Sequence, residues 1–417
     1  MLINQAYRYE LKPNNVQETL LAKHAGTARF AWNWALAQNN NTNAIAQHRE
    51  WNVWKRENVP WWTEISKCVP QEAFRDLDRA FSNFFSIWRE AKTNPSLRAR
   101  IARSKPRKDG KPYGYPKFKK KGVHDSFHLR GAVHVKESHV QLPRLGTIRV
   151  KENTNVQGRI LSVTVSREAD RWFVSLSVER EKPDPIPISG PIIGIDLGLD
   201  CFATLSNGEH IYAPKPLNKS LKRLKRASKK HSRKQKGSNN RRKSAMRLAR
   251  LHRTIRNQRR DFLHQVTTKL AKTKSVIVVE DLNVKGMVRN GRLSRHISDV
   301  GWGEFQRMLD YKTKWCGSHL VTADRWFPSS RMCSTCGYVI DELPLSVRRW
   351  MCPVCKVVHN RDDNASLNLE HYYTTGSSPG SHACGDSSGG GTDAVWSTSY
   401  GSRKQESNTD YPAGIKG

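Results

Sequence analysis

The stretch Pro191-Ile192-Ile193-Gly194-Ile195-Asp196-Leu197-Gly198 sets a carboxylate at the end of an apolar run. Residues 192–197 read as a buried strand, short and bounded by Pro and Gly, with residues 202–205 as its hairpin partner. A carboxylate at the mouth of such a strand is costly unless something pairs with it. A second apolar run, residues 275–279, ends the same way, on Glu280 before Asp281-Leu282-Asn283. A third acid, Asp362, stands at the start of a helix expected over about residues 363–372, in Arg361-Asp362-Asp363-Asn364-Ala365. Any one of these acids fits a salt bridge to Lys or Arg. Three together, two of them at strand ends, better fit a site for hard divalent cations. Mg²⁺ takes oxygen ligands and keeps waters and substrate phosphate oxygens, and two such ions serve phosphodiester hydrolysis. Composition alone leaves Glu280 or Asp281, and Asp362 or Asp363, open, because neighbouring residues point in different directions.

Between the second and third acids lies Cys333-x2-Cys336, then fifteen residues, then Cys352-x2-Cys355. Each pair puts two thiolates on one tight turn, with Gly337 just after the first, and the spacing is that of a zinc ribbon. Two disulfides conflict with a reducing compartment, and a redox Cys-x2-Cys would stand alone in a thioredoxin-like context. His359 could substitute for one ligand. Four protein ligands leave no open position, so the expected role of one Zn²⁺ is structural. Cys68, Cys201, Cys316 and Cys384 read as unpaired thiols without a role.

The chain has 417 residues, enough for two or three domains, and a formal net charge of +35 from 72 Lys plus Arg against 37 Asp plus Glu. Self-repulsion on that scale implies a polyanionic partner, nucleic acid or an anionic membrane. No apolar run is long enough to span a bilayer, and Met1 to Leu11 lacks a signal layout. No membrane partner is therefore expected, and the expected location is cytoplasmic, at the nucleoid. Residues 215–260 hold 20 Lys or Arg and no acid. Leu217, Leu221 and Leu224, then Leu248, Leu251, Ile255 and Phe262, mark two helices broken at residues 237–240. Such a cation run repels itself unless bound. Lys222, Arg223, Lys225, Arg226, Arg241 and Arg242 are therefore candidates for phosphate-backbone contact, against the blander reading of a solvated helix pair.

Elsewhere, residues 2–11 read as a strand and 14–95 as helical. Phe74, Leu77, Ala80, Phe81, Phe84, Phe85 and Trp88 form a stripe at helical spacing, read as core rather than as a base-stacking surface. Residues 96–121 read as a basic loop, and 134–141, 147–150, 160–165 and 172–178 as antiparallel strands. Residues 181–189 read as a linker, 305–315 as a helix and 320–323 as a short strand. From Thr374 onward, Gly, Ser and Thr predict disorder.

Gly194-Ile195-Asp196-Leu197-Gly198, Val279-Glu280-Asp281-Leu282, the paired Cys-x2-Cys and Arg361-Asp362-x-Asn364-Ala365 together resemble the TnpB (OrfB) family of transposon-encoded RNA-guided nucleases, relatives of the type V CRISPR effectors. Phe327-Pro328-Ser329-Ser330, Ser298-Asp299-x-Gly301-Trp302 and Pro116-Lys117-Phe118 extend the resemblance over residues 2 to 372. It implies an α/β multidomain protein: an RNase H-like RuvC domain (186–325 and 359–372) with an inserted zinc ribbon (326–358), an antiparallel β wedge domain (1–12 and 122–185), a helical recognition domain (13–121) and a disordered tail (373–417). It implies Asp196, Glu280 and Asp362 as catalytic Mg²⁺ ligands, and a guide RNA from the transposon end that pairs with double-stranded target DNA beside a short motif. Lys67 and Gln71 match positions near the family's reading of that motif, and Lys117 and Lys119 lie in its Lys-rich segment. One chain per guide RNA is the expectation. The alternatives are a transposase that works without RNA and a nuclease-silent RNA-guided DNA-binding regulator.

Overall fold

The computed structural model describes residues 1–38, 43–344 and 346–375. The predicted tail therefore lies outside the described residues from 376 onward, and Cys384 with it. The chain opens on β1 (Leu2–Lys12), followed by α1 (Asn15–Ala37), α2 (Ala44–Asn58), a 3₁₀ turn at Pro60–Glu64, α3 (Cys68–Thr93) and α4 (Pro95–Ala102). Then come β2 (Ser126–Leu129), β3 (His134–Lys136), β4 (His139–Leu142), β5 (Gly146–Val150), β6 (Arg159–Glu168) and β7 (Arg171–Glu181). The third segment runs β8 (Ile192–Asp196), β9 (Ala203–Leu205), β10 (His210–Ile211), α5 (Pro216–Ser232), α6 (Asn239–Thr273), β11 (Val276–Glu280), α7 (Val284–Met287), α8 (Ser294–Val300), α9 (Trp302–Cys316) and β12 (His319–Ala323). It ends with β13 (Arg349–Met351), β14 (Val358–Asn360) and α10 (Arg361–Thr374).

The first sheet has seven strands in the order β2-β6-β7-β1-β5-β4-β3, antiparallel throughout. Alternation along β7 sends Trp172, Val174, Leu176 and Val178 into a core that α1 closes with Leu21, Ala25 and Ala28 and the start of α3 closes with Val69. A separate aromatic core joins α1, α2 and α3 around Trp32, Trp51, Phe74 and Leu77. The stripe on α3 thus divides. Phe74 and Leu77 are core, whereas Phe85 and Trp88 stay partly exposed, because among the described residues the C-terminal half of α3 is covered only by residues 113–115 and α4, with Tyr115 on Phe81 and Phe84.

Two expectations change here. Residues 95–102 are helix rather than loop: Asn94 accepts from Leu97 N at 3.2 Å, and Pro95 supplies the fixed φ of a first helical position. The segment predicted as one strand at 134–141 is a hairpin, β3 and β4, turning at Glu137-Ser138.

The second sheet has the order β10-β9-β8-β11-β12. β9 runs antiparallel to β8, and β11 lies parallel to both β8 and β12. Helices cover both faces. Leu263 and Leu270 of α6, with Trp302, Phe305 and Leu309 of α9, pack on one side. Leu369 and Tyr372 of α10 pack on the other. Ser298-Asp299-x-Gly301-Trp302 has a structural explanation. Buried Asp299 accepts from Leu217 N at 3.0 Å and Asn218 N at 2.9 Å, capping α5 from a distance, and Arg259 pairs with it at 3.4 Å. The two sheets are joined by α6, whose Arg250 and Arg253 reach Asp170 at 3.0 and 3.1 Å and whose Arg256 pairs with Glu168.

α10 lies directly on β8 at Gly194. A Cβ there would run into the Ser366 carbonyl oxygen and the Glu370 amide, both backbone atoms that cannot swing away. Gly194→Ala is expected to lower stability by on the order of 3 kcal/mol or more, through overpacking. Gly303→Ala, which meets open space in α9, is expected to leave it unchanged or raise it by about 0.5–1 kcal/mol. Thermal melts of the two variants check the contrast.

Candidate active site

Parallel pairing of β8 with β11 sets Ile195 beside Val279. The residues that follow, Asp196 and Glu280, therefore close their strands at the same end of the sheet. α10, held against β8, brings Asp362 to that end in its first turn. Asn360 caps the helix, its Oδ1 accepting from Asp362 N at 3.0 Å and Asp363 N at 3.4 Å. Asp196 feels the charge of both other acids. Loss of water around Asp196, then the charges of Glu280 and Asp362, push its carboxyl well above the usual range, with Arg361 and Arg348 opposing.

The neighbours left open by composition face elsewhere. Asp281 pairs with Arg325, and Asp363 lies 3.4 Å from His210 Nε2. Glu280 accepts a hydrogen bond from Ser329 Oγ. Arg348 donates to Asp362 Oδ1 at 3.1 Å and Asp200 Oδ2 at 3.2 Å, reaching the cluster from the cysteine-bearing segment.

The four cysteine sulfurs of Cys333, Cys336, Cys352 and Cys355 lie within 4.8 Å of one another. Cys333 and Cys355 are 3.5 Å apart, and Cys336 and Cys352 are 3.6 Å apart. Those gaps are far beyond a disulfide bond and close to the roughly 3.8 Å edge of a tetrahedron with Zn–S of about 2.3 Å. The donor set therefore fits one tetrahedral metal ion. The two knuckles share one geometry: Gly337 N and Lys356 N each donate back to the first cysteine's carbonyl, at 2.9 and 3.0 Å. Both residues adopt positive φ, 76° and 62°, a conformation glycine takes freely and lysine at a cost. His359 stands outside the set, its Nε2 3.0 Å from Cys333 Sγ and its ring 4.9 Å from that of Trp350. It supports a ligand rather than replacing one.

The predicted basic contacts are dispersed. Lys222, Arg223, Lys225, Arg226 and Arg242 are exposed on the α5–α6 hairpin. With Lys230, Arg247 and Arg250, Arg223 and Arg226 line a groove of about 500 Å³. Arg241 is half-buried, donating to His231 O at 3.2 Å and Lys234 O at 2.7 Å, where it closes the end of α5. Lys117 is exposed. Lys119 holds its ammonium 3.9 Å above the Trp32 ring. Lys67 is exposed at the start of α3, with half-buried Gln71 one turn on.

Three family models match in succession: a "Helix-turn-helix domain" over residues 1–48, the OrfB model described as "Probable transposase" over 175–291, and a "Cas12f1-like, TNB domain" over 302–369. A Streptomyces pristinaespiralis protein named "Putative RNA-guided DNA endonuclease" is 36% identical, over 88% of this chain and 89% of its own length. The Escherichia coli K12 protein of that designation, InsQ, is 34% identical over 88% and 91%. A Mycobacterium tuberculosis relative, Rv2885c, is 33% identical over 88% and 86%. The chain belongs to the OrfB (TnpB) family.

Several residues around this OrfB chain's site are given no role by the sequence reading. Asn360 had a signal, being a good N-cap before a helix with acids in its first turn. Asn364 and Asn368 tie α10 to the segment leading into the first knuckle: Asn364 Nδ2 donates to Met332 O at 2.7 Å, and Asn368 Nδ2 donates to Ser329 O at 2.7 Å. Arg348 had no local signal, because its partners lie 14 and 148 residues away.

The raised Asp196 carboxyl carries a signed consequence. Its ionised form is disfavoured in the fold, so the destabilisation starts as pH passes the ordinary carboxylate value and is complete above the folded one. Without divalent ions, Asp196→Asn is expected to melt higher than the parent at pH 8, with the gain vanishing near pH 4. Melting curves at both pH values in chelator check it.

Proposed function

We propose that this chain is an RNA-guided DNA endonuclease of an insertion sequence, with Asp196, Glu280 and Asp362 as its catalytic carboxylates. The observation that carries the proposal is their convergence at the open end of two parallel strands, in a chain 36% identical to a protein named for that activity. The strand order β10-β9-β8-β11-β12 supports an RNase H-like RuvC domain over 186–325 and 359–372. The cysteine unit at 326–358 is its zinc ribbon insert, the seven-stranded sheet with residues 1–12 and 122–185 is the wedge, and 13–121 is the recognition domain.

Three carboxylates that repel one another are unstable neighbours without cations, and their hard oxygens suit Mg²⁺. Bound there, two Mg²⁺ ions would activate the attacking water and stabilise the leaving 3′-oxygen. The chain's own groups do the rest. Ser329 orients Glu280, Asn360 and the packing at Gly194 hold Asp362 in place, and Arg348 brings a guanidinium suited to a phosphate once its carboxylate partners turn to metal.

The net charge of +35 suits a guide RNA and its heteroduplex with target DNA, recognised by shape and backbone while base pairing reads sequence. The exposed cations of α5 and α6 are assigned to that backbone, and Lys67 and Gln71 to the duplex motif beside the target. No described helix is long and apolar enough to cross a membrane, and a nuclease of this kind acts at the nucleoid, one chain per guide.

Purified with RNA transcribed across the end of its element and supplied with Mg²⁺, the parent is expected to cut a plasmid carrying the matching target. Asp196→Ala and Glu280→Ala should each slow cutting roughly a hundredfold or more. Undiminished cleavage by Asp196→Ala sinks the site assignment, and strand-transfer products without RNA would favour the transposase reading.

The parent is also expected to hold one equivalent of zinc by elemental analysis. Cys352→Ser should lose the zinc and, with it, the ordered approach to Asp362 and most cleavage. Full zinc content and full activity in that variant would refute the structural role.

A further inference from the structure

Trp326 is 84% exposed, whereas Trp61, Trp62 and Trp88, the next most exposed, are at 39%, 39% and 38% among the described residues. Single exposed apolar side chains are ordinary, but this one is held out by a built turn. Asp324 Oδ1 accepts from Trp326 N at 2.8 Å, and Phe327 N donates to Asp324 O at 3.1 Å. The turn separates two aromatic neighbours. Phe327 goes inward onto Tyr372, with ring centroids 4.9 Å apart, while the indole faces solvent.

Both ends of the turn are pinned beside the acid cluster. Ala323 is the register partner of Glu280, Ser329 Oγ donates to Glu280, and Arg325 pairs with Asp281. Three residues of chain reach at most about 11 Å, and adjacent strands lie about 4.8 Å apart. The indole therefore sits within a few nucleotides' reach of Glu280, the carboxylate to which both ends of the turn are tied.

We propose that Trp326 is a stacking platform that seats an unpaired base of the DNA strand entering the carboxylate cluster. This rests on the nuclease reading above. An indole face stacks on any base, so the contact positions a strand without reading its sequence. Paired bases inside a duplex offer no free face, so the platform favours a strand already separated by guide pairing. The guanidinium of Arg325, next to Trp326 in the chain, suits its phosphates. Trp326 is a positioning residue: it touches the strand away from the reacting bond.

The test uses RNA-loaded protein and a target duplex carrying 2-aminopurine in the strand to be cut, near the cut position. Trp326→Ala is expected to raise KM about ten- to a hundredfold, leave kcat nearly unchanged and remove the fluorescence quenching that stacking causes. Trp326→Tyr should retain most of both, whereas Trp326→Leu, apolar but without a π-face, should behave as Ala. An unchanged KM in Trp326→Ala, or equal behaviour of the Leu and Tyr variants, overturns the proposal. Asp196→Ala separates the two readings. If it abolishes cutting while Trp326→Ala binds normally, only the platform fails. If it cuts normally, the nuclease site fails, and the quenching still decides the platform.

Discussion

Helix α10 rests on strand β8 at backbone distance, and the acid cluster depends on that contact. Gly194 is the only residue type that lets the Ser366 carbonyl come so close. The contact fixes the height of the helix above the sheet, and the Asn360 cap fixes where the helix begins. Together they set Asp362 at the end of the sheet that carries two acids lying 166 and 82 residues earlier in the chain. Hydrophobic burial of Leu369 and Tyr372 against Val276 and Val278 holds the same helix down. Burying Asp196 and setting two like charges near it are both unfavourable, and the raised Asp196 carboxyl registers first the burial and then the repulsion. The packing energy of a sheet covered on both faces is what tolerates it.

The cysteine unit belongs to the same construction. It is inserted between β12 and α10, and β14 runs into the helix without a break: Asn360 ends the strand and Arg361 starts the helix. Asn364 and Asn368 bind the helix to the backbone ahead of the first knuckle, and Arg348 crosses from the ribbon to Asp362. A metal holding the four sulfurs would therefore stabilise the acid cluster through the chain, without touching it. Positive charge is organised by a similar division of labour. Arg253 and Arg256 of α6 are neutralised by Asp170 and Glu168 beside the first sheet, which ties the two sheets together, while Arg223, Arg226 and Arg247 at the α5–α6 groove keep their charge for an outside anion.

Much of the site was legible because its signals are local. Cys-x2-Cys spacing encodes a turn, and an acid ending a Val/Ile run encodes a strand mouth. The two helices expected around a break at residues 237–240 appear as α5 and α6, with the break at residues 233–238 and Asn239-Asn240 opening α6 behind a Ser238 cap. The misreadings have local physical causes. The helix at 95–102 was hidden by Lys and Arg that suggested a loop, although Asn94 and Pro95 announce its start. The hairpin at 134–142 turns on Glu137-Ser138, which carries no Gly or Pro to mark it. The aromatic stripe of α3 reads as uniformly core, but periodicity says only which face is apolar, not how completely a partner covers each ring on it.

The sequence by itself determined the ligand inventory and the local geometry: four cysteines on two knuckles, acids at two strand ends and at a helix start, and an excess of cations that demands a polyanion. These follow from residue type and spacing within one turn, strand or cap. Tertiary structure alone decided that Asp281 turns to Arg325 and Asp363 to His210, that His359 backs a cysteine rather than replacing one, that Arg241 closes a helix end, and that Arg348 reaches Asp362. Those outcomes depend on strand register and on helix-to-sheet distance. Both are set by contacts between residues far apart in the chain, where spacing carries no information.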